Sequence, residues 1–435
     1  MKGFPRLKLH WQILIALGLA VVVGSLTRGP GTLFGVHWLA VYTFLGTLFL
    51  NALKMIIVPL IVSSMIAGVN AMGGTDGLGR LGGKTLLYYL ATSLAAILTG
   101  LLFVNLVAPG MVDGAPARGL LGADAPGLGQ LQEHLQNRDL SELSNVFLSM
   151  VPPNIIAAAA DGQMLGLIFF SLLFGYFMTR IDGARARLLA DFWQGVLDVM
   201  MAITEWVMKF APLGVFALVA KTVAGIDASQ MNTLVVSLGA FTLTVLGSLA
   251  FHVFVTLPLV LSLIARVNPL RHYRAVMPAL LTAFSTASSS ATLPLTMECV
   301  RDNAGVSNRT TGFVLPLGAT INMDGTALYE CVAAMFIAQV YGLELGFVTQ
   351  FTVVMVALLT SIGVAGVPAA SLVAITIILT AIGLPTEAIG LILAVDRVLD
   401  MFRTSVNVLS DTCGAMVIAR SEGEGGFYPV DARAE

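Results

Sequence analysis

Apolar residues run in long unbroken stretches along this chain rather than alternating with polar ones. Stretches such as residues 11–26, 233–264 and 351–379 are close to or beyond the roughly 20 apolar residues that a helix needs to cross a hydrocarbon core of about 30 Å. A membrane β-barrel would instead show short segments of alternating polarity. The pattern predicts an all-α polytopic membrane protein, with helices near residues 11–27, 38–71, 85–108, 163–180, 192–223 and 231–265.

Composition supports this class and excludes others. Of the 435 residues, 57% are hydrophobic and 11% are charged, whereas a soluble chain carries roughly 25% charged residues. The formal net charge of −2 leaves no basic surface for a nucleic acid. Cys299, Cys331 and Cys413 lie in apolar segments and lack the spacing of a zinc site or a disulfide framework. We expect an integral membrane protein that contacts lipid and has no nucleic-acid partner.

Lysine and arginine cluster in alternate connections, which predicts the orientation in the membrane. Basic residues precede the first helix and follow the second, fourth and sixth: Lys2, Arg6, Lys8, Arg80, Lys84, Arg180, Arg185, Arg187, Arg266, Arg271 and Arg274. Cytoplasmic loops carry an excess of these residues. We therefore assign the N-terminus to the cytoplasm and the loop at 110–161 to the outside. The expected location is the plasma (inner) membrane, with both termini cytoplasmic.

Two segments in the C-terminal third are apolar but interrupted. The first lies between Arg274 and Arg301 and contains a run of small polar residues at 285–290. Arginines at both ends argue against a crossing, and two arms of about a dozen residues reach just past the membrane midplane. The second, at 346–379, is interrupted at 363–371 and contains no lysine or arginine. We predict two re-entrant helical hairpins, the first entering from the cytoplasm and the second from outside.

Each hairpin is followed by an apolar helix that carries polar groups. The sequence Asn-Met-Asp-Gly-Thr at 322–326 interrupts the first of these helices, at about 311–340. The second, at 389–418, places five polar side chains within about 80° of one helix face: Asp396, Asp400, Arg403, Asn407 and Asp411. Interrupted segments that recur as inverted repeats are the best sequence indication of a secondary-transporter site near the midplane.

This polar stripe has two interpretations. It lines a polar cavity, or it forms intrahelical salt bridges that face a subunit contact. Each charge within the membrane costs about 2.5–3.5 kcal/mol on insertion scales, so three acids and an arginine are hard to retain for packing alone. We favour the cavity. Lys54, alone in the second helix, fits a snorkelling or structural role at least as well as a functional one.

The residue types indicate what such a cavity binds. Arg403 offers a planar fork that matches a carboxylate, and Asp400 offers an acceptor for an ammonium group. Hydroxyls and free N–H groups at the hairpin tips, where helices begin, suit a second carboxylate. Together these requirements describe an acidic amino acid. Hard oxygen ligands beside helix breaks suit Na⁺, and the candidates are Asn322, Asp324, Asn407 and Asp411.

Three other functions stay open at this point. A C4-dicarboxylate carrier would not need Asp400, and a neutral amino acid exchanger would not need Arg403. An intramembrane enzyme is the alternative from another class, with Ser289 as its nucleophile. Residues 274–435 contain no histidine to activate this serine, which leaves a distant base such as His252.

Four motifs resemble those of the dicarboxylate/amino acid:cation symporter family, the glutamate transporters, which includes excitatory amino acid transporters and archaeal aspartate transporters. They are SSSATLP at 288–294, NMDGT at 322–326, AGVP at 365–368 and DMFRTSVNVLSD at 400–411. The resemblance covers essentially the whole chain. It implies eight transmembrane helices plus two re-entrant hairpins, inverted repeats, and a homotrimer of elevator-type transporters.

The resemblance also implies a domain division and a substrate pocket. Residues 1–84 and 109–223 would be mostly scaffold, and residues 85–108 and 224–435 would form the transport domain. Arg403 would bind the substrate side-chain carboxylate and Asp400 its amino group. The other pocket residues would be Ser288, Ser289, Thr326, Thr404, Asn407 and the backbone of Val367.

About three sodium sites follow from the same resemblance. The first would comprise Gly318, Asn322, Asn407 and Asp411. The second would comprise Thr320, Met323, Ser361, Ile362 and Val364. The third would comprise Tyr89, Thr92, Ser93, Asn322 and Asp324.

Glu330 is the candidate for proton coupling. It stands where vertebrate transporters of the resembled family carry glutamate and sodium-only archaeal members carry a neutral residue. Glu330 lies six residues beyond Asp324 in an apolar helix, which favours the neutral, protonated carboxyl group. The alternative is that it only pairs with a neighbour such as Arg403 when the pocket is empty and never exchanges a proton with bulk water.

Overall fold

The computed structural model describes residues 9–27, 32–33, 36–72, 78–117, 148–161, 163–181, 183–225, 231–363 and 370–428. Two predicted site residues, Val364 and Val367, lie outside these ranges, as do the basic residues before the first helix. The structure therefore bears on the remaining site residues only.

Helices account for most of the described chain. In order they are α1 Leu9–Leu26, α2 Trp38–Met72, α3 Leu78–Val107, α4 Ile155–Ala160, α5 Met164–Met178, α6 Gly183–Met208, α7 Ala211–Gly225, α8 Met231–Phe251, α9 Leu257–Val260, α10 Pro269–Thr286, α11 Ser289–Glu298, α12 Asn308–Ile321, α13 Asp324–Val340, α14 Phe347–Gly363, α15 Ala370–Ile382 and α16 Ile389–Ser421. Turns of π-helix at His252–Thr256 and Leu261–Ala265 flank α9. Strand β1 Thr32–Leu33 pairs antiparallel with β2 Val36–His37, and β3 Met111–Val112 with β4 Ala115–Pro116.

Several described helices have the length and composition of membrane spans. The segments Trp38–Asn70, Arg80–Val107 and Met231–Ala265 qualify singly, and α6 with α7 qualifies as one bent pair. Side chains of α3 that face outward are large and apolar; Leu87, for example, is 69% exposed. In water such a surface would be a liability, whereas lipid covers it. The chain is a mostly helical membrane protein.

The predicted helix at 192–223 is wrong as a single element. The structure has two helices there, α6 and α7, which meet at an angle of 54°. Pro212 has no N–H to donate to the carbonyl group one turn earlier, so a continuous helix loses a bond at this point. The chain instead closes α6 with a tighter turn, in which Phe210 N–H donates to the Val207 carbonyl at 2.9 Å.

Helices α10 and α11 form the first hairpin. Ala287 turns the chain between them with a left-handed backbone (φ 50°), and the Ser288 hydroxyl caps α11 by accepting from Ala291 N–H at 3.2 Å. At the other end of the pair, Asn303 donates to the Ala275 carbonyl at 2.9 Å. The two arms are therefore antiparallel. Helices α14 and α15 pack against each other as a second pair, and the residues that join them, 364–369, lie outside the described ranges.

The apolar span predicted at 311–340 breaks into α12 and α13 at Asn322 and Met323. The start of α13 lies directly against α16: a Cβ atom on Gly325 would stand 2.6 Å from the Arg403 carbonyl oxygen. Helix α16 also packs against α8, α10 and α12. The broken helix and α16 are thus in contact at the level where both carry polar groups.

The residues after α16 fasten its end to α3. Arg80 and Lys84, near the start of α3, donate to the two Glu422 carboxylate oxygens at 2.8 and 2.6 Å. These hydrogen bonds, that of Lys84 first, lower the pKa of Glu422 to about 2. The carboxylate therefore stays charged in neutral solution, and the link between the two helices persists.

Candidate functional site

Two arginines and two aspartates on α16 form a charge-balanced cluster. Nη2 of Arg403 donates to Asp396 Oδ1 at 3.1 Å and to Asp400 Oδ1 at 3.0 Å. Nη1 of Arg397 donates to Asp400 Oδ2 at 3.0 Å. Positions 396, 400 and 403 therefore share one helix face, as the periodicity predicts. The formal charges of the four side chains cancel, so the cluster can be buried without a further ion.

Arg403 is the most buried member of this cluster, with 1% of its side chain exposed. The Tyr329 ring of α13 lies under the guanidinium, with Cζ 3.9 Å from the ring centroid, in cation–π contact. Among the described residues, neither Nε nor Nη1 of Arg403 has a hydrogen-bond partner. A buried donor without a partner is costly. Nε and Nη1 lie on opposite sides of the guanidinium, so each can donate a single hydrogen bond to an anion, whereas both two-point faces include Nη2, which already donates to Asp396 and Asp400.

A cavity of about 280 Å³ adjoins the cluster. The first hairpin contributes Thr286, Ala287 and Ser288 to its wall, and α16 contributes Asp396, Arg397 and Asp400; apolar side chains of α1, α2, α6 and α7 face them. Ligand pockets span about 300–1,000 Å³, so this cavity has the scale of a small solute. Of the predicted pocket residues, the structure brings Ser288 and Asp400 to it.

Asn407, predicted to bind substrate and sodium, holds the start of α13. Its Oδ1 accepts from Gly325 N–H at 2.8 Å and Thr326 N–H at 3.3 Å, while Nδ2 donates to Thr326 Oγ1 at 3.0 Å. Nδ2 also lies 3.2 Å from Met323 Sδ. The amide thus caps a helix from a neighbouring one, which satisfies N–H groups that the break leaves without intrahelical partners. Of the other predicted pocket residues, Thr404 donates to the Asp400 carbonyl at 2.8 Å, and Ser289 is buried at the start of α11.

Asp324 is fully buried at the start of α13 and is hydrogen-bonded from three helices. Ser93 of α3 donates to its Oδ1 at 2.6 Å, and Ser410 of α16 donates to its Oδ2 at 2.6 Å. His252 Nε2 lies 3.2 Å from Oδ2. The carboxylate needs such partners because an isolated buried charge is very costly. Two members of the predicted third sodium set, Ser93 and Asp324, are therefore in direct contact.

A second oxygen-rich cluster, formed by Asn322 and Asp411, is joined to Asp324 through the Ser410 hydroxyl. Asn322 Nδ2 donates to Asp411 Oδ1 at 2.9 Å and to Ser410 Oγ at 3.1 Å, and Asn322 Oδ1 has no partner among the described residues. A Cβ atom on Gly318 would stand 2.5 Å from Asp411 Oδ1 and 2.7 Å from the Tyr89 hydroxyl oxygen. Because Gly318 has no side chain, the Asp411 carboxylate and the Tyr89 hydroxyl lie close to the α12 backbone, and Asp411 is also bonded to Asn322, whose carbonyl oxygen lacks a partner among the described residues. Hard oxygen donors of this kind fit Na⁺, the cation expected from sequence.

The remaining predicted sodium ligands that carry hydroxyl groups donate hydrogen bonds to backbone carbonyls. Hydroxyls of Thr92, Thr320 and Ser361 each donate to a carbonyl of their own helix. Tyr89 donates to the Val314 carbonyl of α12 at 2.7 Å. Ile362 lies in α14, which packs against α12, the helix that carries Thr320. Their role as cation ligands stays a prediction.

Glu330 is buried on α13, with 1% of the residue exposed. Its Oε2 accepts from the Thr360 hydroxyl of α14 at 3.0 Å. Among the described residues, Arg403 forms its ion pairs with Asp396 and Asp400. The pairing of Glu330 with Arg403 that the sequence leaves open is therefore not the arrangement found here.

Sequence reasoning missed several side chains that complete these clusters. Tyr329 lies under Arg403, Ser410 bridges Asn322 and Asp324, and His252 reaches Asp324 from the end of α8. Ser410 lies within the motif at 400–411 and next to Asp411, which is a signal that could have been used. His252 lies in an apolar segment far from any motif, and the π-helical turn that begins there was not foreseeable.

A charged cluster beside broken helices, inside a bundle of apolar helices, defines a membrane transporter of the secondary type. The chain belongs to the Sodium:dicarboxylate symporter family, which it matches over residues 9–421. It is therefore a cation-coupled symporter of the glutamate/dicarboxylate family, and not an enzyme.

Individual relatives are similar to more than nine tenths of this chain and to about three quarters or more of their own length. The proton/sodium-glutamate symport protein of Geobacillus stearothermophilus is 35% identical over 420 residues, which cover 96% of each chain. Human excitatory amino acid transporter 3 is 36% identical, over 95% of this chain and 86% of its own. Neutral amino acid transporter B(0) of Oryctolagus cuniculus is also 36% identical, over 92% and 76%. Because relatives of equal identity carry different substrate names, identity alone does not fix the substrate of this chain.

Proposed function

We propose that this protein is a sodium-coupled symporter that carries L-aspartate and L-glutamate across the plasma (inner) membrane. The observation that carries the proposal is Arg403, a buried guanidinium with two nitrogens that lack partners among the described residues. A side-chain carboxylate is the anionic group that these donors can bind, and two-point binding would move Nη2 away from Asp396 or Asp400. Asp400 beside it is the acceptor for the amino group, and the capped start of α11 at Ser288 faces the main-chain carboxylate.

Sodium is the proposed coupling ion because the buried aspartates need a positive counter-charge. Asp324 and Asp411 are buried with 0% and 2% of their residues exposed, and a buried carboxylate seeks a counter-charge. Asn322 Oδ1, which lacks a partner among the described residues, supplies a further oxygen ligand. Ion entry neutralises the acids before the second hairpin closes over the pocket. About three sodium ions accompany each substrate in this proposal.

Glu330 is proposed to carry a coupled proton. Neutral Glu330 accompanies sodium and substrate inward, then ionises on the cytoplasmic side, where a returning cation such as K⁺ replaces the proton. Its hydrogen bond with Thr360 crosses from α13 to the second hairpin. A change in the protonation of Glu330 would therefore change its contact with α14, one helix of the pair that we propose to close the site.

For the architecture we propose eight transmembrane helices plus the two re-entrant hairpins, arranged as inverted repeats in a homotrimer. Residues 1–84 and 109–223 would form most of the scaffold. Residues 85–108 and 224–435 would form the transport domain, which slides as an elevator. Among the described helices, α2 packs on α5, α6 and α7, while α16 packs on α8, α10, α12 and α13, and this grouping supports the division. Both termini would be cytoplasmic.

A C4-dicarboxylate carrier is the second candidate. Arg397 favours it, because this residue already pairs with the carboxylate that an amino group would need. A neutral amino acid carrier is disfavoured by Arg403, since a buried guanidinium without an anion would stay unmatched.

Calorimetric titration separates these substrates. Purified protein in NaCl buffer is titrated with L-aspartate, L-glutamate, succinate and L-alanine. We expect both acidic amino acids to bind at least about tenfold more tightly than succinate, and L-alanine to give no heat. Succinate binding that equals or exceeds aspartate binding would favour the dicarboxylate carrier instead.

A further inference from the structure

We infer that Arg397 competes with the substrate amino group for Asp400, and that its displacement sets the preference for amino acids over dicarboxylates. This inference rests on the proposed function and assigns a new specificity-determining residue to the same site. Its starting point is that both oxygens of Asp400 already accept from guanidinium groups.

The geometry divides Asp400 between the two arginines. Oδ1 accepts from Arg403 Nη2 at 3.0 Å, and Oδ2 accepts from Arg397 Nη1 at 3.0 Å. Among the described residues, the Nε atom of Arg397 has no partner. Both Arg397 and Asp400 line the cavity beside the first hairpin. Arg397 thus takes the acceptor oxygen from the side on which a solute would arrive.

An arriving ammonium group competes with Arg397 for one acceptor. The substrate brings its own carboxylates, so the total charge does not by itself expel a cation. Both Asp400 oxygens already accept from a guanidinium, however, and the ammonium group gains a full hydrogen bond to Oδ2 only where Arg397 gives way. The pair Arg397–Asp400 therefore has to loosen when the ammonium group binds.

Burial decides which arginine moves. The Arg403 side chain is 1% exposed, lies on the Tyr329 ring and bonds to two acids. The Arg397 side chain is 21% exposed, and its ion pair is with Asp400, one helical turn away. Arg397 can rotate toward the cavity and solvent, while Arg403 has no comparable path. Arg397 is the cation that leaves.

A substrate without an amino group does not require this exchange. Succinate carries the two carboxylates of aspartate but no ammonium, so Arg397 can remain on Asp400 and keep its charge neutralised. Removing Arg397 leaves a carboxylate with one guanidinium partner. That carboxylate attracts an ammonium group and repels a dianion. The two ligands should therefore respond in opposite directions.

The test compares L-aspartate and succinate by calorimetric titration of the purified full-length protein in saturating NaCl. Arg397→Gln and Arg397→Met both remove the charge, and Arg397→Lys keeps it. The matched control is Arg301→Gln, which removes an exposed arginine that pairs with its neighbour Asp302. We expect the ratio of succinate Kd to aspartate Kd to rise at least about tenfold in both neutral variants. In Arg397→Lys and the control it should stay within about threefold of the wild-type ratio.

Two results would overturn the inference. One is an unchanged ratio in folded Arg397→Gln and Arg397→Met, which would make Arg397 a structural partner of α16 only. The other is loss of aspartate binding in every Arg397 variant, including lysine, while Arg301→Gln binds normally; Arg397 would then hold the substrate rather than compete with it. Failure of the proposed function looks different, because the wild-type protein itself would bind neither acidic amino acid.

Discussion

The buried Arg403 is the residue that we propose to select substrates by their charge. Arg403 keeps its charge because Asp396, Asp400 and the Tyr329 ring surround it, yet two of its nitrogens lack partners among the described residues. Buried groups of this kind are retained where a ligand completes them. An anionic side chain on the substrate is the group that would do so here.

Replacing Arg403 tests this at the residue scale. Arg403→Cys removes one member of a charge-assisted pair in a dry pocket, which should cost about 2–5 kcal/mol, or about 30-fold to several thousandfold in affinity. We expect aspartate binding to be lost and L-serine or L-alanine to be admitted, as measured by titration in NaCl buffer. Aspartate affinity within tenfold of wild type would remove Arg403 from the pocket.

Replacing Glu330 tests whether this residue carries the coupled proton. Glu330→Gln keeps the size and the hydrogen bond to Thr360 but cannot carry a proton. We expect this variant to retain sodium-dependent exchange of labelled aspartate and to lose the wild-type response of uptake to an imposed pH gradient. The control is Glu298→Gln, an exposed acid on the first hairpin, which should keep that response. Wild-type transport that moves no protons under voltage clamp would make Glu330 a structural acid.

Periodicity could predict which side chains share a face but not which helices meet. The spacing of Asp396, Asp400 and Arg403 follows from 100° per residue, and the bonds between them agree. The contacts of His252 and Ser410 with Asp324 depend on the register between separate helices. No one-dimensional pattern contains that register. For the same reason the sequence missed that Asn407 caps α13.

Breaks in helices are the features that build the site at the scale of elements. The interruption at Asn322 and Met323 lets α12 approach α3 and α16 closely, with Gly318 opposite Tyr89 and Asp411. A glycine at this point lets the Asp411 and Tyr89 oxygens approach the helix where a Cβ atom would otherwise stand. We expect these oxygens to be used by the cation.

Gly318→Ala tests that use. The added methyl group would stand 2.5 Å from Asp411 Oδ1, so the carboxylate has to move or the ion has to leave. We expect the sodium concentration for half-maximal aspartate binding to rise at least about tenfold. Gly312→Ala on the same helix is the control, because its Cβ atom would meet nothing within 4 Å. Equal sodium dependence in the two variants would place the ion elsewhere.

Element boundaries could be predicted where polar residues interrupt an apolar run. The prediction failed where a single proline breaks the helix within such a run. The serine run at 285–290 marked the first hairpin turn, and Asn322 marked the break between α12 and α13. Pro212 splits the helix expected at 192–223, although its neighbours are apolar on both sides. Pro59 lies within the continuous helix α2, so the presence of a proline alone does not predict a break in a helix.

For the whole molecule, composition could predict the class of protein because the low charge content acts on the entire surface. The family match over residues 9–421 agrees with it. Domain motion and subunit contacts depend on surfaces between bodies, and no pattern along the chain encodes them. Coupling is likewise a property of the whole molecule: in the mechanism that we propose, the buried acids Asp324, Asp411 and Glu330 gain and lose cations together with the substrate.

Uptake of radiolabelled L-aspartate into proteoliposomes, with Na⁺, H⁺ and K⁺ gradients imposed one at a time, tests sodium coupling most directly. We expect accumulation above equilibrium whenever an inward sodium gradient is present, and none when choline replaces sodium. Uptake that is unchanged in choline buffer would contradict it.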